Sequence, residues 1–120
     1  MPRKRKYPFQ VKIKIPFEKF DIWERDIFDL LFEEKEAETA RKIISWIQKN
    51  ERLYPEDYRH VVGTSPAEVK RYNRVMAKLV TLGLIGRGKE ASYILNDEFA
   101  HKLNFLAEKW LAIYSKKKMI

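Results

Sequence analysis

Between residues 65 and 82, apolar side chains recur every three or four positions, at Val69, Tyr72, Val75 or Met76, Leu79 and Leu82. That is the spacing of a single helical stripe. Just before it, Gly63 is suited to end a helix in the left-handed conformation. Ser65, Pro66 and Glu68 read as a capping box opening the next helix. The side away from the stripe carries Lys70, Arg71, Arg74 and Lys78. The pattern predicts a short helix, a tight turn and a second helix at about 65–82 with a basic outer face, the arrangement that presents a rod to a DNA major groove. Taken alone, the charge run has a competing explanation as a solvated face.

The same periodicities place the other elements. Phe9, Val11, Ile13 and Ile15 alternate with polar residues and predict a half-buried strand stopped by Pro16. Its partner is either the hairpin described next or the same strand of a second subunit. A helix is expected from Asp21 to about Glu34, burying Ile27, Phe28, Leu30 and Leu31, with Asp26, Asp29, Glu33 and Glu34 outward. Residues 38–50 predict another helix, with Ala40, Ile43, Ile44 and Ile47 on one side and Trp46 off the stripe. Pro55 opens a short helix ending at Val62 and Gly63, with Tyr58, Val61 and Val62 facing the core.

After Leu82, residues 84–95 read as two short strands around a glycine-containing turn, with Arg87 and Lys89 at or near its tip. Asn96, Asp97 and Glu98 cap a final helix at about 97–117. Along it Phe99, Leu103, Leu106, Trp110 and Ile113 step by four and three, the spacing of a coiled-coil seam. Ala100, Ala107, Leu111 and Tyr114 widen this face, so a dimer through the helix is expected. Coverage of the domain's own core is the simpler alternative.

Composition narrows the function classes. The 120 residues hold 45% hydrophobic and 13% aromatic positions, enough for a packed core in one domain. No cysteine is present, which removes disulfides, a thiol nucleophile and a zinc–cysteine site. The two histidines, His60 and His101, fall on different predicted helices with no motif around either, so neither metal binding nor a nucleophilic site is expected. The acids before residue 38 point outward with no sign of a cleft, and Gly86-Arg87-Gly88 is explained by a hairpin turn, so an enzyme is not expected. No cofactor is expected. No segment reads as a signal peptide or a membrane span, which makes the cytoplasm the expected location.

The net charge of +8 favours a polyanionic partner. Residues 1–20 hold seven bases and one acid, residues 21–38 two bases and eight acids, and residues 39–120 sixteen bases and eight acids. Basic blocks should therefore face nucleic acid while the acidic block, 21–38, stays away from it or docks a protein partner.

The succession strand, helix, helix, short helix, turn, basic helix, hairpin, helix resembles the winged helix-turn-helix domains of MarR-like and related archaeal transcription regulators. Two segments carry the resemblance, Tyr58 through Tyr72 with Gly63 at the turn, and Leu79-Val80-Thr81-Leu82-Gly83-Leu84-Ile85-Gly86-Arg87 followed by Tyr93-Ile94-Leu95-Asn96-Asp97. The resemblance covers roughly residues 38–117. The chain departs from the family's pattern at Arg59, where a small residue is usual, and in a basic helix about one turn longer.

The resemblance implies DNA-facing positions at Ser65, Pro66, Ala67, Lys70, Arg71 and Arg74. Residue chemistry adds its own assignments. Arg71 and Arg74 offer bidentate donors to guanine, and Asn73 suits adenine. Thr64, Ser65 and Lys78 suit phosphate. Arg87 and Lys89 suit the adjacent minor groove, and an arm of Arg3, Lys4, Arg5 and Lys6 does the same or tracks the backbone.

The fold class expected is mostly α with a small β-hairpin (α+β), comprising a basic arm and strand at 1–20 and a winged-helix domain at 21–120. The function expected is double-stranded DNA binding by a homodimeric, sequence-specific transcription regulator, associated with the nucleoid. The alternatives are a nucleoid, plasmid-partition or replication-accessory protein of low sequence specificity, and a protein-interaction winged-helix module.

Overall fold

The computed structural model describes residues 26–118, with side chains through residue 116. The basic arm Arg3–Lys6, the strand expected at 9–15 and the first residues of the acidic helix lie outside the described residues.

The acidic stretch forms two helices instead of one. Asp26 caps the first by accepting a hydrogen bond from the Asp29 amide at 3.0 Å. This helix, α1, spans Ile27–Leu31. Phe32 then turns extended, at φ −132° and ψ 155°, and drops its ring into the core, where it is 1% exposed. Burying that ring outweighs continuing the helix for another turn. The chain restarts as α2, Glu34–Asn50, four residues earlier than the apolar spacing suggested. Of the four α1 residues expected inside, Leu31 is buried, Phe28 and Leu30 are half-buried, and Ile27 is exposed at the helix start.

Ala37, Ala40, Ile43 and Ile47 form the buried face of α2. After Glu51, Leu53 and Tyr93 exchange backbone hydrogen bonds at 2.9 and 3.0 Å, forming an isolated antiparallel bridge. Pro55–Asp57 make a 3-10 turn leading into α3, Tyr58–Val61. Gly63 takes the left-handed conformation expected of it, at φ 86°. Helix α4 follows over Pro66–Leu82, with Tyr72, Val75, Met76, Leu79 and Leu82 buried.

The capping box at its start does not form, because the Ser65 side chain makes no cap hydrogen bond. Ser65 and its neighbours are exposed, so water serves the first amides, and Pro66 removes one of them.

Gly83 closes α4 at φ 88°, and the hairpin follows. Strands β1, Ile85–Arg87, and β2, Tyr93–Leu95, pair antiparallel in the register Ile85–Leu95, Gly86–Ile94, Arg87–Tyr93. A tight turn over Lys89–Ala91 joins them. The architecture is mainly helical with a small two-stranded antiparallel sheet. Its core lies where α2 crosses α4 under β1, around Phe32, Ile43, Ile47, Leu53, Val75, Leu79 and Ile85.

The last helix, α5, Glu98–Lys118, touches this core mainly through its first turn. Asn96 Oδ1 accepts from the Glu98 amide at 3.1 Å, the Phe99 amide donates to the Gly83 carbonyl at 3.1 Å, and the Phe99 ring is 8% exposed. From Ala100 to Lys116 every side chain is exposed. Among the described residues, the seam from Leu103 to Ile113 thus covers no core. Among the described residues no helix is long and apolar enough to cross a membrane.

Candidate functional site

Packing fixes what α4 can offer. With Tyr72, Val75, Met76, Leu79 and Leu82 turned inward, the 3.6-residue repeat turns Lys70 and Ala77 directly outward. Lys70, Asn73 and Ala77 are exposed along this side, as are Thr64, Ser65, Pro66 and Ala67 at the helix start.

The cations assigned to DNA from sequence separate into three groups. Lys70 and Lys89 are exposed. Arg71 is half-buried and lines a groove of about 360 Å³ between α2 and the start of α4, with Lys35, Lys42, Glu38 and Glu68. Arg74, which is exposed, and Lys78, which is half-buried, both reach toward α2. Arg74 Nε donates to Glu36 Oε2 at 3.3 Å and Lys78 Nζ to Glu36 Oε1 at 3.5 Å. The Lys78 ammonium also sits 5.0 Å from the centre of the Phe32 ring, a cation–π contact. Glu36, from the acidic block 21–38, thus lies against the basic helix. The α2–α4 crossing brings this carboxylate between two of the four basic residues.

The hairpin stands beside the other flank of α4. Together they border a groove of about 390 Å³ lined by Asn73, Met76, Ala77, Val80, Thr81, Arg87 and Tyr93. Arg87 leaves the tip and lays its guanidinium 4.8 Å over the Tyr93 ring, while Lys89 stands at the tip itself. Arg52 Nη1 donates to Ser92 Oγ at 3.2 Å, and that hydroxyl donates to the Lys89 carbonyl at 2.5 Å, bracing the turn from beneath. Glu90 and Ala91 in this turn hold φ values of 57° and 60°, a left-handed conformation costly for side-chain-bearing residues.

Sequence reasoning missed Glu36, Arg52 and Leu53. Glu36 carries no local signal, since its partners lie 38 and 42 residues away. Leu53 was legible only as an apolar residue before a proline.

Elsewhere, Asp26 and Asp29 hold Arg41 at 2.7 and 2.6 Å, and the hydrogen bond from that guanidinium brings Asp26 down to about 2. Part of the acidic surface is thereby neutralised within the fold. Tyr72 is pushed up to about 12, chiefly by burial and further by the neighbouring Tyr93 and Asp57. His60 stacks on Trp46, centroids 5.8 Å apart, and His101 meets Asp97 at 3.1 Å. No cluster of three or more His, Asp or Glu suited to a metal ion occurs among the described residues.

No curated protein and no solved structure matches the chain. A model described as an archaeal family matches residues 24–114, which span α1 to well into α5. The match takes in most of the chain and all of the helix-and-hairpin unit, and the protein belongs to this archaeal family.

Proposed function

We propose that the chain binds double-stranded DNA as a homodimeric winged helix-turn-helix transcription regulator, with α4 in the major groove and the hairpin at the neighbouring minor groove. The observation that carries this reading is the shared groove. The exposed side of α4, with Asn73 and Ala77, and the hairpin, with Arg87, border one groove of about 390 Å³. The order of elements supports it too: helix α2, a single bridging residue Leu53, α3, a glycine turn, α4, then a two-stranded hairpin. In this reading Lys70 and the start of α4 meet phosphate, Asn73 reads a base edge, and Lys89 follows the backbone beyond the hairpin tip. The bare seam of α5 supports the dimer.

Selection of bound sequences from random duplex DNA tests the reading. A sharp palindromic site is the expected result, and a flat distribution removes sequence-specific regulation.

A second reading, coating of DNA with little sequence choice, is favoured by the charge distribution. Residues 26–118 hold seventeen bases against fourteen acids, while residues 1–25 hold eight against three. Much of the cationic excess thus lies outside the unit that reads a groove. Such binding would weaken steeply with salt and leave no protected site.

A further inference from the structure

We infer that α5 pairs with α5 of a second copy of this chain in antiparallel orientation, about a two-fold axis near Ala107. The inference rests on the homodimer proposed above, but not on DNA binding. Leu103, Leu106, Trp110, Leu111 and Ile113 are 42–65% exposed, and Ala107 lies among them. With 3.6 residues per turn they fill an arc of about 160°, wider than a surface helix leaves to water. An arc of this size on a charged, water-facing protein marks an interaction surface.

Two observations choose the occupant and its direction. First, the seam begins at Phe99, which the chain's own fold already buries. The body of the fold therefore lies on the seam side at the start of α5. A parallel partner would place its own first turn and its own fold in that space, whereas an antiparallel partner brings only its C-terminal end there. Second, the ends of the helix carry opposite charge, Asp97 and Glu98 at the start and Lys116, Lys117 and Lys118 at the finish. Antiparallel pairing sets each acidic end beside a basic one and opposes the helix dipoles.

The four-three spacing then faces Leu103 with Ile113 of the second copy, and Leu106 with its Trp110, which centres the pair on Glu108, one residue past Ala107. The lysines along one border do not oppose this. Lys102 is held by Glu98 at 2.9 Å, and Lys109 lies 5.0 Å over the Phe105 ring of its own helix. The arrangement sets the two folds apart by roughly the length of α5, about 30 Å, near the spacing of about 34–36 Å between successive half-sites on DNA.

The absence of cysteine allows a direct test by single substitution at small exposed positions. Ala107→Cys faces itself across the axis and should run almost entirely at twice the monomer mass after mild oxidation. Ala100→Cys should stay at monomer mass, because its counterpart lies about 24 Å away along the axis, beyond the ~7 Å that a disulfide spans between Cα atoms. Equal cross-linking of both variants means a parallel pair and overturns the inference. No cross-link in either, or a wild-type chain sedimenting as a monomer at micromolar concentration, overturns it as well. The face would then be covered otherwise, for instance by residues 1–25 of its own chain. Loss of DNA binding without loss of the Ala107→Cys cross-link would count against the DNA reading alone.

Discussion

Glu36 of α2 reaches across to α4 and accepts from Arg74 Nε at 3.3 Å, while its other carboxylate oxygen takes Lys78. Its side chain is only 17% exposed, against 57% for Arg74. On the DNA-binding reading proposed above, Glu36 competes with phosphate for both cations. Glu36→Gln should release both cations and raise affinity for random duplex DNA by roughly three- to tenfold at low salt, with a steeper salt dependence. The cost to folding should stay within about 1 kcal/mol, as these pairs reach the surface. Fluorescence anisotropy across a salt series measures this, and an unchanged salt slope would remove Arg74 and Lys78 from the contact surface.

Lys70 and Asn73 should behave differently from each other. Lys70→Ala weakens binding to all duplexes alike and lowers the salt slope by about one. Asn73→Ala leaves binding to random duplex unchanged but costs about 1–3 kcal/mol on the preferred site, relaxing one position of it. Competition assays with single-base variants separate the two, and a uniform loss for Asn73→Ala would deny it a reading role.

Tyr72 makes the fold sensitive to alkali. Its hydroxyl titrates near 12 in the folded chain, against an ordinary 10, because burial disfavours the phenolate. The folded value is the higher, so this stabilisation is complete below pH 10 and is lost as the pH rises toward 12. The loss amounts to about 2–3 kcal/mol. Urea titrations of Tyr72→Phe should show a shallower decline over that window than the wild type, and parallel declines would contradict the assignment.

Gly83 closes α4 against the first turn of α5, in a conformation that few residues tolerate. Its φ is 88°, and an added Cβ would stand 2.9 Å from Glu98 Cβ and 3.0 Å from the Phe99 amide nitrogen. Gly83→Ala should destabilise the fold by about 1–3 kcal/mol and loosen the anchoring of α5. Gly63→Ala, with nothing within 4 Å, meets only the backbone penalty and should cost less. Thermal unfolding of the two variants gives the comparison.

Replacing Leu103 and Trp110 together by glutamate should yield a folded monomer, since these side chains are 42% and 61% exposed in the single chain. Sedimentation should show the halved mass with an unchanged far-ultraviolet signal outside α5. Unfolding of the whole domain would instead mean that α5 supports its own core.

Periodicity was enough to find α4, its glycine turn, the hairpin and the seam of α5, because each rests on local spacing and backbone preference. What it could not see arises from the crossing of distant helices. The run of basic residues groups Arg74 and Lys78 with Lys70 opposite the apolar stripe, yet both reach toward the flank occupied by α2, and nothing near them in sequence announces Glu36. The break at Phe32 was hidden for a similar reason, since an aromatic residue inside an acidic helix pattern reads as one more stripe position. Leu53 was passed over because one residue is too short to show strand alternation.

That one residue has a mechanical consequence. The mutual hydrogen bonds of Leu53 and Tyr93 stitch the segment ahead of α3 to the returning strand of the hairpin. The bridge ties the hairpin to the chain entering α3 and so restrains the angle between them. A ligand that fits this angle loses little entropy on arrival, while one that demands another angle must first unpick the stitch. Rigidity at a single bridge thereby becomes a filter on the shape of what can bind.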